Sequence, residues 1–430
     1  MRMRICYTYH EPLPLRKGAD MNEIRLDVYP GIPEGCTGET LLTLAGKDIS
    51  EIPQGFGGLV DAGERVPPKG FRTIRSFHDF ASTPASQDIV RMLSDGDQEI
   101  SKGAFMASSF GDLHQIYLAS RELGRKHVIL GMGDTGTVTR IRQRVLGNEF
   151  TFGYVGSPTA PGQLSADELS ALGDDCAIVG ITGDPVTHSK SPQMQNAAMR
   201  KAGVNGIYLR FGSLDLAHMR DVITEYDIRG MNVTIPHKQD AVEQMDDLSK
   251  TVKAVGAMNT VVNSDGWLTG ENTDVVGITD TFSETETDGK RVLIMGSGGA
   301  ARAAGYAFTE MGSDTYVAGR NRETVDRMCR DLGTEHDTTG STEGYDIIVN
   351  CTPIGMYSEG KYPADISRLD KEQVVFDMVY GIRTPLLKAA DRASCRTFDG
   401  SDMLVGQGAA SFRLWFGKEP DRKVMRRALE

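Results

Sequence analysis

Residues 291–302 read Arg-Val-Leu-Ile-Met-Gly-Ser-Gly-Gly-Ala-Ala-Arg and join an apolar run to a glycine cluster. The pattern predicts a strand over Arg291–Met295, a tight turn and a helix over Ala300–Glu310, then a strand Thr315–Ala318 and a helix Arg322–Asp331. This order opens a nucleotide-binding fold, in which free N–H groups at the helix N-terminus bind a pyrophosphate. The residues expected at that site are Gly296, Ser297, Gly298, Gly299 and Ala300.

The second of these strands ends in Ala318-Gly-Arg-Asn-Arg322, without an acidic residue. In an NAD site this strand ends in Asp or Glu, which binds the ribose 2′-hydroxyl. A guanidinium group instead suits a 2′-phosphate, because its fork of N–H donors matches the phosphate oxygens. The sequence therefore predicts NADP, with Arg320, Asn321 and Arg322 at the cofactor. The alternatives are a plain glycine turn and solvated arginines at a helix start.

The chain has 430 residues, enough for two or three domains, and a formal net charge of −12. A nucleic-acid binder needs a clustered excess of Lys and Arg, so this charge argues against nucleic acid as a partner. No apolar run approaches about 18 residues, and none follows the basic N-terminus, so neither a membrane span nor a signal peptide is predicted. The six cysteines show no metal-ligand spacing, which indicates reduced thiols, a cytoplasmic protein and no metal.

The first third of the chain contains eight short aliphatic and β-branched runs separated by turn residues. Their order predicts a (β/α)8-type barrel within an α/β protein. The predicted strands are Arg4–Tyr9, Glu23–Val28, Leu41–Ala45, Gly58–Asp61, Arg72–Phe77, Ala104–Ser108, His127–Gly131 and Thr151–Val155. The predicted helices follow only the last four strands and are Ser86–Ser94, Leu113–Leu123, Val138–Leu146 and Ala166–Leu172. A complete barrel has about 250 residues, so one that ends near residue 173 lacks several outer helices.

Polar side chains follow short predicted strands between residues 183 and 274. The segment Gly183-Asp-Pro-Val-Thr-His-Ser-Lys-Ser-Pro192 places two hydroxyls at a helix N-terminus, where a carboxylate binds favourably. The alternative there is simple helix capping by Ser191. Lys238, after Asn232-Val-Thr-Ile-Pro-His, and Asp274, after Gly270-Glu-Asn-Thr, can form a proton-transfer pair. The alternative for that pair is a surface salt bridge.

Together these segments resemble shikimate dehydrogenase over residues 176–430. Further matching segments are Asn350-Cys-Thr-Pro-Ile-Gly-Met356, Phe376-Asp-Met-Val-Tyr380, Thr384-Pro-Leu-Leu387 and Gly400–Gln407. The resemblance implies that NADPH reduces the C3 ketone of 3-dehydroshikimate and that Lys238 and Asp274 handle the proton. It also implies a substrate site formed by Ser189 and Ser191 at the carboxylate and by Thr234, Asn259, Tyr380 and Gln407 along the remaining polar edge. One departure is Gly319-Arg-Asn321, where the family usually has Asn-Arg-Thr.

Charged side chains in the first third are arranged for chemistry at one end of the predicted barrel. Glu23 and Arg25 lie on one strand face by period-two alternation, and His78 ends a strand. Lys102, which begins the next strand in this interpretation, can form an imine with a ketone if its pKa is lowered. The histidine can then take the acidified proton, and Arg140 is a natural carboxylate clamp. The alternative for each residue alone is a structural or solvated role.

This set resembles type I 3-dehydroquinate dehydratase over residues 1–173, most specifically in His78-Asp-Phe-Ala-Ser-Thr-Pro84 and Ala160-Pro-Gly-Gln163. The resemblance implies that Lys102 is the Schiff-base lysine and that His78 removes the C2 proton and assists loss of the C1 hydroxyl. The implied substrate contacts are Arg140 and Gln163 at the carboxylate, Glu23 and Arg25 at hydroxyls, and Thr159 where the family commonly has Ser. The third strand departs from the family pattern, because Lys47 and Asp48 stand where an Arg and a Glu are usual.

The sequence as a whole predicts a fused 3-dehydroquinate dehydratase and shikimate dehydrogenase. The predicted domains are the barrel over 1–173, a substrate domain over 176–285 completed by 400–430, and an NADP-binding Rossmann domain over 286–399. One alternative keeps the dehydrogenase and makes the barrel a vestigial scaffold, and another is a quinate/shikimate dehydrogenase that uses NAD. Strand faces without outer helices need a cover, either from the dehydrogenase part or from a second subunit in a homodimer.

Overall fold

The computed structural model describes residues 3–31, 33, 39–158, 160–356 and 362–430. It divides into two compact units. The first unit comprises Met1–Gly180 with Asn205–Ile228, and the second comprises Ile181–Val204 with Arg229–Glu430. These compact units do not test the domain boundaries that the sequence predicts, because those boundaries follow the family resemblance. The boundaries therefore stay a prediction.

The first unit is built on eight parallel strands. They are β1 (Ile5–Tyr9), β2 (Met21–Arg25), β3 (Glu39–Thr43), β4 (Leu59–Asp61), β5 (Arg72–Asp79), β6 (Ile100–Met106), β7 (His127–Met132) and β8 (Thr151–Val155). Strands β1 to β7 pair in sequence order, and β8 pairs with β1, so that β7 and β8 form the two ends of the order. This arrangement is a nearly closed parallel barrel, as the sequence predicts.

Four helices cover this barrel, all after its fifth strand. They are α1 (Ser86–Ser94), α2 (Phe110–Glu122), α3 (Gly133–Ile141) and α4 (Ala166–Leu172). Among the described residues between β1 and β5, the only helix is a single 3-10 turn at Ile49–Glu51. The missing outer helices are therefore confirmed for the described part of the chain.

Two of these helices begin earlier than predicted. Helix α2 begins at Phe110 because Ser109 and Asp112 form a capping box. Helix α3 begins at Gly133 rather than Val138, since its Gly136 packs directly on the backbone of β7. A Cβ atom on Gly136 would lie 2.3 Å from the carbonyl carbon of Gly131, so only glycine permits this approach.

The barrel interior is layered by strand alternation. The apolar layer consists of Cys6, Met21, Leu41, Leu59, Ile74, Ile100, Val128, Leu130, Phe150 and Phe152. Two residues further along each strand, the same inward face presents the next layer, which is mostly polar and includes Thr8, Glu23, Thr43, Asp61, Ser76 and Lys102. The apolar layer thus fills one end of the barrel and leaves polar side chains at the carboxyl ends of the strands.

The chain then crosses between the two units. Strand β9 (Ala177–Gly183) contains the boundary at residues 180 and 181, and α5 (Ser191–Ala202) belongs to the second unit. Strand β10 (Gly206–Gly212) and helix α6 (Met219–Glu225) return to the first unit. The Tyr226 hydroxyl after α6 donates a hydrogen bond of 2.8 Å to the Leu113 carbonyl of α2, which ties this segment to the barrel helices.

The second unit contains a mixed sheet and a parallel sheet. Strands β11 (Ile228–Val233), β13 (Thr260–Ser264), β14 (Trp267–Glu271) and β12 (Asp247–Leu248) follow one another in the mixed sheet. The parallel sheet has the order β17 (Glu335–His336), β16 (Asp314–Ala318), β15 (Arg291–Met295), β18 (Ile347–Asn350), β19 (Val374–Asp377) and β20 (Arg396–Asp399). Because the order reverses at β15, the carboxyl ends of β15 and β18 form the crevice where open α/β sheets bind ligands.

Helices pack around these sheets. They are α7 (Lys250–Val255), α8 (Asp274–Thr281), α9 (Gly299–Glu310), α10 (Arg322–Leu332), α11 (Pro385–Arg392), α12 (Gly400–Phe416) and α13 (Arg422–Arg427), with a 3-10 helix at Asp240–Gln244. Gly277 of α8 lies so close to α12 that a Cβ atom would meet the Met403 carbonyl oxygen at 2.6 Å. In the described residues, no helix is both long and apolar enough to cross a membrane.

Candidate active sites

The barrel holds a cavity of about 130 Å³ at the carboxyl ends of its strands. The predicted residues that line it together are Glu23, Arg25, His78, Lys102, Arg140 and Gln163. Thr159 lies outside the described residues. Lys102 is the third residue of β6 rather than its first, because the strand begins at Ile100. It pairs in register with Ser76, so it lies on the same inward face as His78.

Lys102 has an anionic partner that the sequence analysis did not assign. The side chain is 8% exposed, and its Nζ lies 3.4 Å from Asp61 Oδ2 and 4.3 Å from the centre of the Phe152 ring. Asp61 accepts hydrogen bonds from Ser76 Oγ at 2.7 Å and from the Gly63 amide at 2.9 Å, which fix the carboxylate. The sequence indicates a role for Asp61 only through its position at the end of a predicted barrel strand, where barrel active sites lie.

His78 is neutral under ordinary conditions. Desolvation, followed by the nearby charge of Lys102, lowers its pKa to about 4, while Asp61 opposes the shift. The imidazole sits at the exposed rim of the cavity and can therefore accept a proton at neutral pH.

Arg140 is a buried cation that faces this cavity from α3. It is 3% exposed, and within the described residues its Nε has no hydrogen-bond partner and its guanidinium forms no ion pair. Burial lowers its pKa to about 10, so it stays charged at neutral pH. Because a buried charge is costly without a counter-ion, this side chain favours a cavity that takes an anionic ligand.

The other predicted barrel residues are Glu23 and Arg25, and Lys47 and Asp48 are the two residues that depart from the family pattern. Glu23 is held by the Thr43 hydroxyl, which donates to Glu23 Oε1 at 2.7 Å, and Arg25 binds Asp27 through two nitrogens at 3.1 and 2.8 Å. Lys47 and Asp48 are exposed and are not among the residues that line the cavity. The Asp48 carboxylate instead caps the 3-10 turn. These two residues therefore do not replace the family's Arg and Glu.

The second unit holds a larger cavity of about 510 Å³. The predicted residues that line it are Ser189, Ser191, Thr234, Lys238, Asn259, Asp274, Ala300, Tyr380 and Gln407. All predicted substrate contacts of the dehydrogenase part thus meet in one place, together with the start of α9. The cavity lies beside Thr352 and Pro353, which follow β18 at the crevice of the parallel sheet.

Lys238 and Asp274 form a close ion pair in this cavity. Lys238 Nζ donates to Asp274 Oδ2 at 2.5 Å, and the side chains are only 15% and 5% exposed. Asn259 Nδ2 donates to the other carboxylate oxygen at 2.8 Å, and the Thr273 amide donates to Asn259 Oδ1 at 2.7 Å. The alternative of a surface salt bridge is therefore wrong, and the pair is rigidly held.

The Ser191 hydroxyl at the start of α5 is not its helix cap. The cap residue is Lys190, which makes no side-chain capping bond. The capping alternative for Ser191 is wrong, because Ser191 is already the first residue of the helix. Its amide donates to Ser189 Oγ at 3.2 Å. Both serine side chains line the cavity, as expected for a carboxylate site.

The glycine turn leads from β15 into α9 as predicted. Gly296 has φ of +123°, which favours glycine, and a Cβ atom on Gly298 would meet nothing within 4 Å. This open backbone at a helix N-terminus fits a pyrophosphate. A Cβ atom on Gly299 would lie 2.7 Å from Lys238 Cβ, so glycine there brings the cofactor turn against the lysine. The sequence analysis missed this link, since no motif joins the two positions.

The predicted 2′-phosphate residues lie at the end of β16. Arg320 is exposed, and Arg322 Nε lies 3.7 Å from Asp326 Oδ2 with most of its side chain in solvent. The Asn321 side chain accepts a hydrogen bond from the Thr324 amide at 3.1 Å and so caps α10. Arg320 is thus the guanidinium best placed to take a phosphate, because no ion pair engages it within the described residues.

Comparisons with known proteins match the two parts of the chain separately. The family model of type I 3-dehydroquinase matches residues 61–173. The shikimate dehydrogenase substrate binding domain matches residues 181–261, and the shikimate 5′-dehydrogenase C-terminal domain matches residues 400–430.

Individual relatives agree with these matches. Shikimate dehydrogenase (NADP(+)) of Pyrococcus furiosus is 38% identical over 263 residues, which are 60% of this chain and 96% of the relative. A chloroplastic bifunctional 3-dehydroquinate dehydratase/shikimate dehydrogenase of Arabidopsis thaliana is 30% identical over 386 residues, 81% of this chain and 64% of that protein. The crystal structure of shikimate 5-dehydrogenase from Thermus thermophilus with NADP(H) and shikimate is 29% identical, with a TM-score of 0.56, and covers 59% of this chain and 98% of that one.

The fold and the two cavities define an α/β enzyme with a lyase-type barrel and an oxidoreductase unit. The chain belongs to the shikimate dehydrogenase family, and it also carries a type I 3-dehydroquinase domain. Both resemblances in the sequence are thereby confirmed.

Proposed function

We propose that the chain catalyses two consecutive reactions, the dehydration of 3-dehydroquinate to 3-dehydroshikimate and the NADPH-dependent reduction of that product to shikimate. The observation that carries the proposal is the pair of separate cavities, one with Lys102, His78 and Arg140 and the other with Lys238 and Asp274. Each contains the reactive groups for one step.

In the barrel, the neutral amine of Lys102 attacks the ketone carbon of the substrate, and loss of water leaves an imine. The iminium form acidifies the neighbouring C2–H bond, and neutral His78 accepts that proton. The same histidine then donates a proton to the departing C1 hydroxyl, which leaves as water. Water finally hydrolyses the product imine, which releases 3-dehydroshikimate and frees the Lys102 amine. Arg140 pairs with the substrate carboxylate, and this pairing supplies the counter-ion that the buried guanidinium lacks among the described residues.

In the second cavity, Lys238 donates a proton to the ketone oxygen as the carbonyl carbon is reduced. NADPH, when bound at the glycine turn, supplies the hydride. Asp274 holds Lys238 in place, and Asn259 fixes the opposite carboxylate oxygen. The hydroxyls of Ser189 and Ser191 bind the substrate carboxylate. The residues present fit NADP, and the relatives named NADP(+)-dependent support the same cofactor.

The acid limb of the dehydratase reaction is expected to lie below the range of an ordinary histidine. Once the imine has formed, proton removal needs neutral His78, whose pKa is lowered to about 4, so kcat should fall as the pH drops through about 4 and by about tenfold per unit below it. An ordinary histidine would give a midpoint near 6.5. The pH profile of the dehydratase, measured with a parallel check of folding, decides between these values, and a midpoint near 6.5 would contradict the assignment.

Arg320→Ala is expected to weaken NADPH binding by about 10- to 100-fold, since a charge-assisted phosphate contact contributes about 1.5–3 kcal/mol. NADH binding should hardly change, because NADH lacks the 2′-phosphate. Arg330→Ala is the matched control, because Arg330 is also an exposed arginine but lies in the last turn of α10. Dissociation constants measured by nucleotide fluorescence check the result, and a wild-type preference for NADH would refute the cofactor assignment.

The alternative of a catalytically weak barrel is favoured by one observation, since Lys47 and Asp48 are exposed and are absent from the cavity lining. Incubation with 3-dehydroquinate alone separates the two interpretations, because dehydration creates a conjugated enone that absorbs ultraviolet light. Enone formation without NADPH supports the double function. Reduction of 3-dehydroshikimate without any enone formation would leave only the dehydrogenase.

The proposal includes a cytoplasmic homodimer with small-molecule substrates and no nucleic acid. Five described cysteines are free thiols, which suits a reducing compartment, although the Arabidopsis relative is named as chloroplastic. Ile49 and Val66, on the barrel side without outer helices, are 44% and 80% exposed, so a second copy would cover apolar surface. Sedimentation analysis tests the dimer.

A further inference from the structure

A cluster of imidazole and carboxylate side chains lies outside both cavities, between α2 and α6 of the first unit. His114 extends from α2, His218 directly precedes α6, and Asp221 and Glu225 belong to α6. One potential ligand atom from each of His114, His218 and Asp221 lies within 4.8 Å of the other two. None of these residues lines a cavity used by the proposed reactions.

Both imidazoles in the cluster contact a carboxylate. His114 Nδ1 lies 2.8 Å from Glu225 Oε1, and His218 Nδ1 lies 2.8 Å from Asp221 Oδ2. The carboxylate of Glu225 favours the tautomer of His114 with its proton on Nδ1, which leaves the Nε2 lone pair of His114 for another partner, as is usual for metal-bound histidines. Asp221 is itself a candidate ligand, so its contact with His218 brings two ligand atoms together. The two rings also stack, with their centroids 4.4 Å apart and an angle of 12° between their planes.

The second oxygen of Glu225 supports a cation at this place. Glu225 Oε2 is buried and has no hydrogen-bond partner among the described residues. Buried polar atoms are nearly always paired, and a nearby ion is one of the ordinary reasons for an exception. A cation held by His114 would balance the carboxylate that orients this imidazole.

The ligand atoms lie close enough together to bind one metal ion after a small rearrangement. Ligands at about 2.0–2.1 Å from a tetrahedral ion lie about 3.3 Å apart, so a separation of up to 4.8 Å must contract by about 1.5 Å. His114 is largely enclosed, whereas the side chains of His218 and Asp221 are 43% and 49% exposed. Rotation of these two side chains can supply the contraction.

We propose that His114, His218 and Asp221 bind one divalent transition-metal ion of the Zn²⁺ class, with Glu225 positioning His114 and water completing the coordination. Imidazole nitrogens with a carboxylate oxygen suit Zn²⁺, Co²⁺ or Ni²⁺ better than Ca²⁺ or Mg²⁺. The ion joins α2 to α6 and so fastens the segment 205–228 to the barrel helices. The sequence analysis predicted no metal, because the ligands come from segments about a hundred residues apart.

Zn²⁺ titration of the chelator-treated full chain by calorimetry tests the site. The variants are His218→Asn and Asp221→Asn; asparagine is chosen at 218 because φ there is +62°, a conformation that asparagine tolerates. His336→Gln is the matched control, since His336 Nδ1 also pairs with an aspartate, Asp326, at 2.6 Å, but belongs to no ligand cluster among the described residues.

Wild type and the control should bind about one Zn²⁺ per chain, and both site variants should bind it at least tenfold more weakly. Zn²⁺ at about 100 times its Kd should raise the thermal midpoint of wild type by about 5–10 °C and leave that of His218→Asn nearly unchanged. Co²⁺ should give a visible spectrum without thiolate charge-transfer bands. Absence of binding in wild type, equal affinity in the site variants, or a thiolate spectrum would each overturn the proposal.

Discussion

Borohydride added together with 3-dehydroquinate is expected to fix the substrate covalently to Lys102. The reagent delivers hydride to the imine carbon and converts the C=N bond into a stable secondary amine, which peptide mass analysis locates. Lys102→Ala should abolish the adduct and lower the dehydratase rate on the order of 10⁴-fold or more, as is usual when a covalent group is removed. Reduction of 3-dehydroshikimate by the same variant should continue unchanged.

Lys126→Ala is the matched control for this experiment. Lys126 lies directly before β7 and, like Lys102, pairs with an acid, Glu99, at 3.5 Å, but it is 55% exposed and lies outside the cavity. The control should keep both the adduct and the turnover. Labelling of another lysine, or dehydration that survives in Lys102→Ala, would show that the barrel works without this imine.

Lys238→Ala is expected to lower kcat of the dehydrogenase by about 10²–10⁴-fold, the usual range for loss of a general acid or base. The substrate carboxylate contacts remain, so KM should change much less than kcat. Asp274 keeps the hydrogen bond from Asn259, so the buried carboxylate retains a partner and the variant should fold. Steady-state kinetics in both directions of the reaction measure the effect.

Lys253→Ala provides the comparison for that variant. Lys253 forms a lysine–aspartate pair with Asp247 at 3.2 Å, but both side chains are about 60% exposed and absent from the cavity lining. Such an exposed pair contributes little. Near-normal reduction by Lys238→Ala, or an equal loss in Lys253→Ala, would remove Lys238 from the mechanism.

Strand alternation explains why so much of the barrel site could be predicted. Period-two alternation predicts that Glu23 and Arg25 share one strand face, and the strand bounds predict His78 at a strand end. The family resemblance supplies the role of Lys102, and all four residues line one cavity. Arg140 also lines this cavity, although its helix begins five residues before the predicted start, and its role as carboxylate clamp stays a prediction. The close approach of Gly136 to Gly131 favours the earlier start of α3. Hydrophobic periodicity cannot predict such a contact.

Residues that act through tertiary contacts were harder to find. Asp61 is a single acid at a strand end, and only the fold brings its carboxylate to Lys102. The packing of Gly299 on Lys238 likewise joins positions that no local pattern connects. Local patterns thus predict the groups proposed to react, whereas the groups that hold them depend on neighbours distant in sequence.

The path of the chain also bears on how these two activities could be separated in evolution. The backbone changes from one compact unit to the other at residues 180–181, 204–205 and 228–229. The segment 205–228 nevertheless lies within the match to the shikimate dehydrogenase substrate binding domain, residues 181–261. Shikimate dehydrogenase of Pyrococcus furiosus is matched over 96% of its length by 60% of this chain. A gene broken just before residue 181 is therefore expected to leave the dehydrogenase whole, whereas the barrel product would lose the contact of Tyr226 with α2.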